Sequence, residues 1–166
     1  MKPWVVDTNV PIVANGRSDG PDERRPSTMC RLAAVNFLEM ILKSGRVLLD
    51  MGGEIQAEYQ RYLSPRGQPG VGDRFYLEVL RSSPRRVQRV ELPRRSDGEY
   101  ADIPQALIAA GFDPADRKFA ALARNRGATV ANAVDTDWLH HLSLLEAEKI
   151  AVYFVCGCDQ ARWFEP

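Results

Sequence analysis

The chain has 166 residues, of which 45% are hydrophobic and 27% are charged. These values are ordinary for a globular protein, and they exclude a disordered or fibrous chain. The 22 basic and 22 acidic residues cancel, so overall charge gives no argument for binding to nucleic acid or to a membrane. Because the sequence has neither an 18-residue apolar run nor a secretory signal, we expect a cytoplasmic protein with no membrane partner.

The first part of the chain alternates strand and helix signals. Residues 4–6 are apolar and stop at Asp7, which predicts a buried strand with a carboxylate at its end. Residues 15–26 have neither helical nor strand periodicity and are predicted to form a loop. A helix is predicted to begin after a cap at Ser27 or Thr28 and to end at Gly45. Its apolar stripe consists of Cys30, Ala34, Phe37, Leu38 and Ile41, which are predicted to face a core. Residues 46–50 are predicted as the second strand.

The order strand, helix, strand is typical of a parallel sheet with crossover helices. Later apolar patterns predict three more strands, over 86–92, 128–134 and 150–155. They also predict helices over 54–63, 75–82, 105–110, 113–126 and 140–148. The length suits one domain, so we predict a single α/β domain over residues 1–166.

Acidic residues recur where these elements begin or end. Asp7 and Asp135 follow two predicted parallel strands, and parallel strands share one carboxyl edge, so both should face the same crevice. Asp116, in the first turn of a helix, and Glu58, on the helix after the second strand, could close that crevice. Clustered carboxylates repel one another unless they are protonated or bound to cations, which favours a Mg²⁺ or Mn²⁺ site.

Four short segments carry these acids in a distinctive order. They are Val5-Val6-Asp7-Thr8-Asn9-Val10, Glu58-Tyr59, Asp116-Arg117-Lys118-Phe119-Ala120-Ala121-Leu122-Ala123 and Asp135-Thr136-Asp137-Trp138. In this order and spacing they resemble the PIN domain family of nucleases. The resemblance implies a three-layer α/β/α fold with a central, mostly parallel sheet. It also implies a metal-dependent ribonuclease site built from Asp7, Glu58, Asp116 and Asp135, with Asp137 as a frequent additional acid.

The roles of these residues follow from that chemistry. Asp7 is predicted as the central metal ligand, with Asp116 and Asp135 as further direct or water-mediated ligands. Glu58 is predicted as a ligand or as the group that orients the attacking water. Hydrogen-bonding support is assigned to Thr8, Asn9 and Thr136.

Two positions compete for the glutamate of this site. Glu54 and Glu58 share one face of the same predicted helix, one turn apart. Glu58 is favoured because Tyr59 and Leu63 follow it in the family's pattern, and Glu54 remains the alternative. The loop over 15–26 is longer than in compact PIN toxins, which departs from an ordinary toxin of a toxin–antitoxin pair.

Basic residues are the candidates for substrate binding, because guanidinium groups suit phosphate contacts. The predicted substrate-binding positions are Arg85, Arg86, Arg89 and Lys118. The alternative is a solvated surface in a chain that prefers arginine.

Trp138 is interpreted as a core or interface residue. His140 and His141, which are adjacent to each other, lack the spacing of a metal motif.

The predicted function is hydrolysis of RNA phosphodiester bonds by a Mg²⁺- or Mn²⁺-dependent endoribonuclease. The resemblance also implies a homodimer and an antitoxin protein as partner. One rival is a catalytically inactive PIN-like module that binds RNA or protein. A second is a phosphatase of the haloacid dehalogenase type, which Asn9 disfavours because that family has a second aspartate there.

The three cysteines, with no matching zinc pattern, are predicted to be reduced thiols within the core.

Overall fold

The computed structural model describes residues 2–18 and 24–166. Its centre is one five-stranded sheet in which every neighbouring pair is parallel. The strands are β1 (Pro3–Val6), β2 (Arg46–Asp50), β3 (Val87–Val90), β4 (Thr129–Asn132) and β5 (Ala151–Phe154). Their spatial order is β3-β2-β1-β4-β5. The predicted α/β class with a parallel central sheet is therefore confirmed.

Eight α-helices connect the strands within the described ranges. They are α1 (Asn9–Ala14), α2 (Thr28–Ser44), α3 (Glu54–Tyr62), α4 (Val71–Arg81), α5 (Gln105–Ala109), α6 (Arg117–Arg126), α7 (Thr136–His140) and α8 (Leu142–Ala147). Short 3-10 turns occupy Pro114–Asp116 and Gln160–Arg162. The prediction had no helix at α1, and it merged α7 and α8 into one helix that began too late. The predicted loop over 15–26 lies partly outside the described residues.

The strand order explains where a ligand would enter. From β1 the chain steps to β2 and β3 on one side, then returns to β4 and β5 on the other side of β1. Right-handed crossovers in opposite directions place helices on opposite faces. Accordingly, α1, α2 and α4 contact one another, while α6 packs on β1, β2 and β4. The order reverses between β1 and β4, and the carboxyl edge at such a switch point is the usual binding crevice of open α/β sheets.

Helix α2 shows how the apolar pattern produces this packing. The Ser27 side chain accepts a hydrogen bond from the Cys30 backbone N–H at 3.2 Å and so caps the helix. The apolar stripe buries every predicted core position of α2, namely Cys30, Ala34, Phe37, Leu38 and Ile41. Strand β4 is buried along its whole length, as expected for a parallel sheet covered on both faces.

A buried polar cluster joins the end of α1 to the start of α4. The Asp73 carboxylate accepts hydrogen bonds from Asn15 Nδ2 at 3.0 Å, Ser64 N at 2.8 Å and Gly70 N at 3.0 Å. The Asn15 Oδ1 accepts in turn from Gly72 N at 2.8 Å. A Cβ atom at Gly72 would lie 2.0 Å from a backbone carbonyl oxygen of α1, so only glycine permits this close approach.

The cysteines correct one prediction. Cys30 and Cys156 are buried as expected, but they form a disulfide that ties α2 to the segment after β5, and they are not reduced thiols. Cys158 is an exposed thiol, not a core residue. Disulfides are rare in cytosolic proteins, so this pair adds no support to the expected cytoplasmic location.

Within the described ranges, every helix is too short or too polar to cross a membrane.

Candidate metal centre

Three aspartates meet at the carboxyl edge between β1 and β4. Asp7 follows β1, Asp135 follows β4, and Asp116 is the last residue of the 3-10 turn before α6. One carboxylate oxygen from each lies within 4.8 Å of those of the other two. Asp7 and Asp116 are only 5% and 7% exposed, and Asp135 is partly buried. The switch point of the sheet thus brings together acids that are far apart along the chain.

These acids disfavour one another's charge. Burial, together with the charge of Asp135, raises the pKa of Asp7 to about 8. Burial raises the pKa of Asp116 to about 11, with the charges of Asp7 and Asp135 adding to the effect. Among the described residues, Asp116 Oδ2 is buried and has no hydrogen-bond partner. A hard divalent cation would both neutralise the group and satisfy this oxygen, so the donor set fits Mg²⁺ or Mn²⁺.

Hydrogen bonds hold Asp7 in place from two sides. The Asn9 backbone N–H donates to Asp7 Oδ1 at 3.1 Å, and Trp138 Nε1 donates to Asp7 Oδ2 at 2.7 Å. Trp138 is fully buried, as expected for a core residue, but its contact with Asp7 was not predicted. Its position beside the acids in sequence was the available signal. The Tyr59 hydroxyl donates to the Val6 carbonyl at 2.5 Å and ties α3 to the end of β1.

Two buried amides join the ends of β1 and β4. Asn9 Nδ2 donates to Asn132 Oδ1 at 2.9 Å, while Asn9 Oδ1 accepts from the backbone N–H groups of Ala133 and Val134. Asn132 Nδ2 donates to the Asp135 carbonyl at 3.0 Å. Asn9 therefore shapes the loop that presents Asp135. Asn132 was missed, although an amide side chain within a predicted strand of mostly small and apolar residues could have indicated it.

The two competing glutamates face different surroundings. Glu58 Oε2 lies 3.1 Å from the Lys118 ammonium, and its charge contributes to the raised pKa of Asp7. Glu58 is thus close to the three aspartates without belonging to their tight group. Glu54 instead pairs with Arg94 and accepts a hydrogen bond from the Tyr100 hydroxyl.

The remaining predicted ligand and support residues lie around the group of three. Asp137 Oδ2 accepts from the Asp113 backbone N–H at 2.8 Å, and Asp137 Oδ1 lies 3.1 Å from His141 Nδ1. Thr8 is buried, and its hydroxyl has no hydrogen-bond partner in the described parts of the chain. Thr136 is exposed in the first turn of α7. Metal binding by Asp137 and support by both threonines stay predictions.

The predicted arginines lie on or just before the edge strand β3. Arg86 donates to the carbonyls of Ile41 and Lys43 at the carboxyl end of α2, near the amino edge of the sheet. Arg89 donates to Gln56 and Ser82, and Arg85 is exposed. The hydrogen bonds of Arg86 and Arg89 are thus made to backbone carbonyls, an amide and a hydroxyl, and not to the three aspartates.

A different set of cations includes Lys118, the ion-pair partner of Glu58. Lys118, Arg117 and Arg94 line a groove of about 360 Å³, together with the acids Glu54, Asp97 and Glu99. Arg117 pairs with Glu99 at 2.8 Å and is largely buried, which orders one wall of the groove. The sequence pattern indicated Lys118 and placed Arg94 among the arginines that suit phosphate contacts, but it did not indicate Arg117, whose place in the groove depends on how the 93–104 segment folds back.

Fold and site together define an α/β protein whose parallel sheet carries a carboxylate cluster at its switch point. The chain matches no family model and no curated protein. Its fold is similar to the crystal structure of VapBC2 from Rickettsia felis bound to a promoter DNA fragment. That match has 15% identity and a TM-score of 0.51, and it covers 92% of this chain and 98% of the other. A domain of a functionally unknown protein from Methanocaldococcus jannaschii matches at 15% identity and a TM-score of 0.38, covering 93% of this chain and 91% of that one. At this identity the VapBC2 likeness shows a shared fold and does not by itself show a shared function.

Proposed function

We propose that residues 1–166 form a PIN-like, Mg²⁺- or Mn²⁺-dependent nuclease domain that cleaves RNA endonucleolytically. The observation that carries this proposal is the meeting of Asp7, Asp116 and Asp135 within 4.8 Å at the switch point of a parallel sheet. A buried carboxylate oxygen without a hydrogen-bond partner is costly unless a ligand satisfies it. The fold similarity to VapBC2 agrees with this assignment.

The three aspartates would hold the ion. A bound divalent ion supplies Lewis acidity and offsets the negative charge that develops during phosphodiester hydrolysis. Trp138 and the Asn9 N–H orient the Asp7 carboxylate, and the Asn9–Asn132 pair fixes the loop before Asp135. Glu58, held by Lys118 at the border of the group, is placed to orient a water molecule near the substrate.

The biological setting is part of the same proposal. We propose a cytoplasmic ribonuclease that acts as the toxin of a toxin–antitoxin pair, forms a homodimer and is restrained by an antitoxin protein. The support is the PIN-like order of the acids together with the fold likeness to VapBC2. Expression of the wild-type chain should therefore inhibit growth, and Asp7→Asn should not; a wild-type chain that leaves growth unchanged would contradict this setting.

The test compares the wild-type chain with Asp7→Asn, Asp116→Asn and Asp135→Asn on labelled RNA and DNA. Each substrate is incubated with Mg²⁺, with Mn²⁺ or with EDTA. We expect internal cleavage of RNA that EDTA abolishes and that each substitution lowers at least 100-fold. Asp159→Asn, which changes an exposed aspartate that caps a distant turn, is the matched control and should retain activity. Cleavage that survives all three substitutions would rule out this site, and metal binding without cleavage would favour the inactive module.

A further inference from the structure

We propose that the centre holds one divalent ion, because the Lys118 ammonium takes the place beside Glu58 that a second ion would need. This inference rests on the proposed metal centre. In this proposal Lys118 is a positioning residue that holds Glu58. The Lys118–Glu58 pair then determines how many ions bind.

Lys118 is held as a structural cation. Its Nζ lies 3.1 Å from Glu58 Oε2, donates to the Ala115 carbonyl and sits 4.8 Å from the centre of the Phe119 ring. The Lys118 side chain is 12% exposed and that of Glu58 is 22% exposed. An ammonium group with three contacts and little solvent is a fixed point charge, unlike a surface lysine that moves freely in water.

Glu58 belongs to the centre electrostatically, although not by ligand geometry. Its charge raises the pKa of Asp7, which places it near that carboxylate. The ligand oxygens of Asp7, Asp116 and Asp135 converge within 4.8 Å. Glu58 Oε2, which accepts no hydrogen bond within the described ranges, lies 3.1 Å from the Lys118 ammonium as its ion-pair partner. The three aspartate oxygens suit one divalent cation. Glu58, the fourth acid, is paired with the Lys118 ammonium instead.

A second ion would need ligands that this arrangement does not leave available. Two-metal sites keep their ions about 3.5–4 Å apart and share carboxylates between them. Glu58 is the acid next to the group of three, and accepting a second ion there would require breaking its pair with Lys118. The ammonium would then lie close to a dication in a poorly solvated place, which is strongly unfavourable.

The backbone contact of Lys118 couples this arrangement to the metal ligands. Ala115 precedes Asp116, so the bond from Nζ to the Ala115 carbonyl joins Glu58 on α3 to the turn that presents Asp116. Removing the ammonium should therefore release Glu58 toward the group and open a second, weaker cation position.

The test counts Mn²⁺ ions by calorimetric titration and by electron paramagnetic resonance on the full chain, without RNA. We expect one ion for the wild type, two for Lys118→Met and one for Lys118→Arg, which restores a cation. The double variant Lys118→Met with Glu58→Gln should return to one ion. Arg124→Met, which breaks an exposed ion pair on the same helix, is the matched control and should bind one ion.

Several outcomes would overturn the inference. Two ions in the wild type, or a single ion in a folded Lys118→Met chain, would contradict it and leave the metal centre intact. If Lys118→Met does not fold, Glu58→Gln decides the question, because it should keep one ion with an affinity within about threefold of wild type. A larger loss of affinity would show that Glu58 is itself a ligand. Failure of the wild type to bind Mn²⁺ would contradict the proposed metal centre itself.

Discussion

Two groups of buried aspartates in this molecule have opposite surroundings. Asp73 is 4% exposed, and three N–H groups donate to it. Asp50, at the end of β2, is equally buried and accepts from the backbone N–H groups of Glu54 and Ile55, which caps α3. Asp116 is buried to a similar extent, but it faces other carboxylates. One of its carboxylate oxygens has no hydrogen-bond partner in the described ranges. The difference teaches that burial alone does not mark an ion site, whereas buried carboxylates that face one another and leave an oxygen without a donor do.

Substituting one aspartate from each group should give the largest effects on stability and on Mn²⁺ binding. Asp73→Ala leaves the N–H groups of Ser64 and Gly70 without partners, so we expect the free energy of unfolding to fall by about 3 kcal/mol. Asp116→Asn replaces a buried carboxyl group that has to take up a proton when no cation is bound, so we expect equal or greater stability with at least 100-fold weaker Mn²⁺ binding. Urea unfolding and Mn²⁺ titration on both variants measure these changes. Tight Mn²⁺ binding by Asp116→Asn would remove the distinction between the two groups.

The pH dependence of stability should sharpen the comparison. Without metal, the folded pKa of Asp7, about 8, and that of Asp116, about 11, both exceed the ordinary value of 3.8. Between these values the folded state keeps protons that the unfolded chain has lost, so stability falls as pH rises from about 4 to 8. The slope is roughly 1 kcal/mol per pH unit for each such group.

Urea unfolding in EDTA at several pH values between 4 and 8 would measure this slope. Asp116→Asn should make this slope shallower. Added Mn²⁺ should stabilise the protein more strongly at pH 8 than at pH 5, since metal binding displaces protons from the ligands. Stability in EDTA that does not change between pH 5 and 8 would show that the aspartates are ionised without a cation.

The smallest predicted effect concerns the one indole that donates to the centre. Trp138→Phe keeps an aromatic ring against Phe112 but removes the donor to Asp7 Oδ2. We expect about 10-fold weaker Mn²⁺ binding and a loss of about 1 kcal/mol of stability. Trp4→Phe is the matched control, because Trp4 packs against Phe37 and Tyr153 away from the centre. Equal Mn²⁺ affinity in both variants would show that the indole N–H has no part in metal binding.

Sequence periodicity predicted the parts of the fold that a regular local pattern encodes. Helix α2 carries an apolar stripe long enough to distinguish from a strand, and its bounds agree with the structure. Helix α1 was missed because its six residues are all buried and include Pro11, so they show no contrast between faces. The Cys30–Cys156 disulfide was also missed, since spacing along the chain does not reveal which distant thiols meet.

The sequence by itself determined the succession of parallel β/α units and the delivery of Asp7 and Asp135 to one edge of the sheet, because strand periodicity and strand ends are local properties. Only the tertiary structure decided that Trp138 bonds to Asp7, that Asn9 bonds to Asn132, and that Lys118 holds Glu58. The physical reason is distance along the chain: Asp7 and Trp138 are 131 positions apart, and only the packing of α6 and α7 over the switch point brings such partners within hydrogen-bond reach.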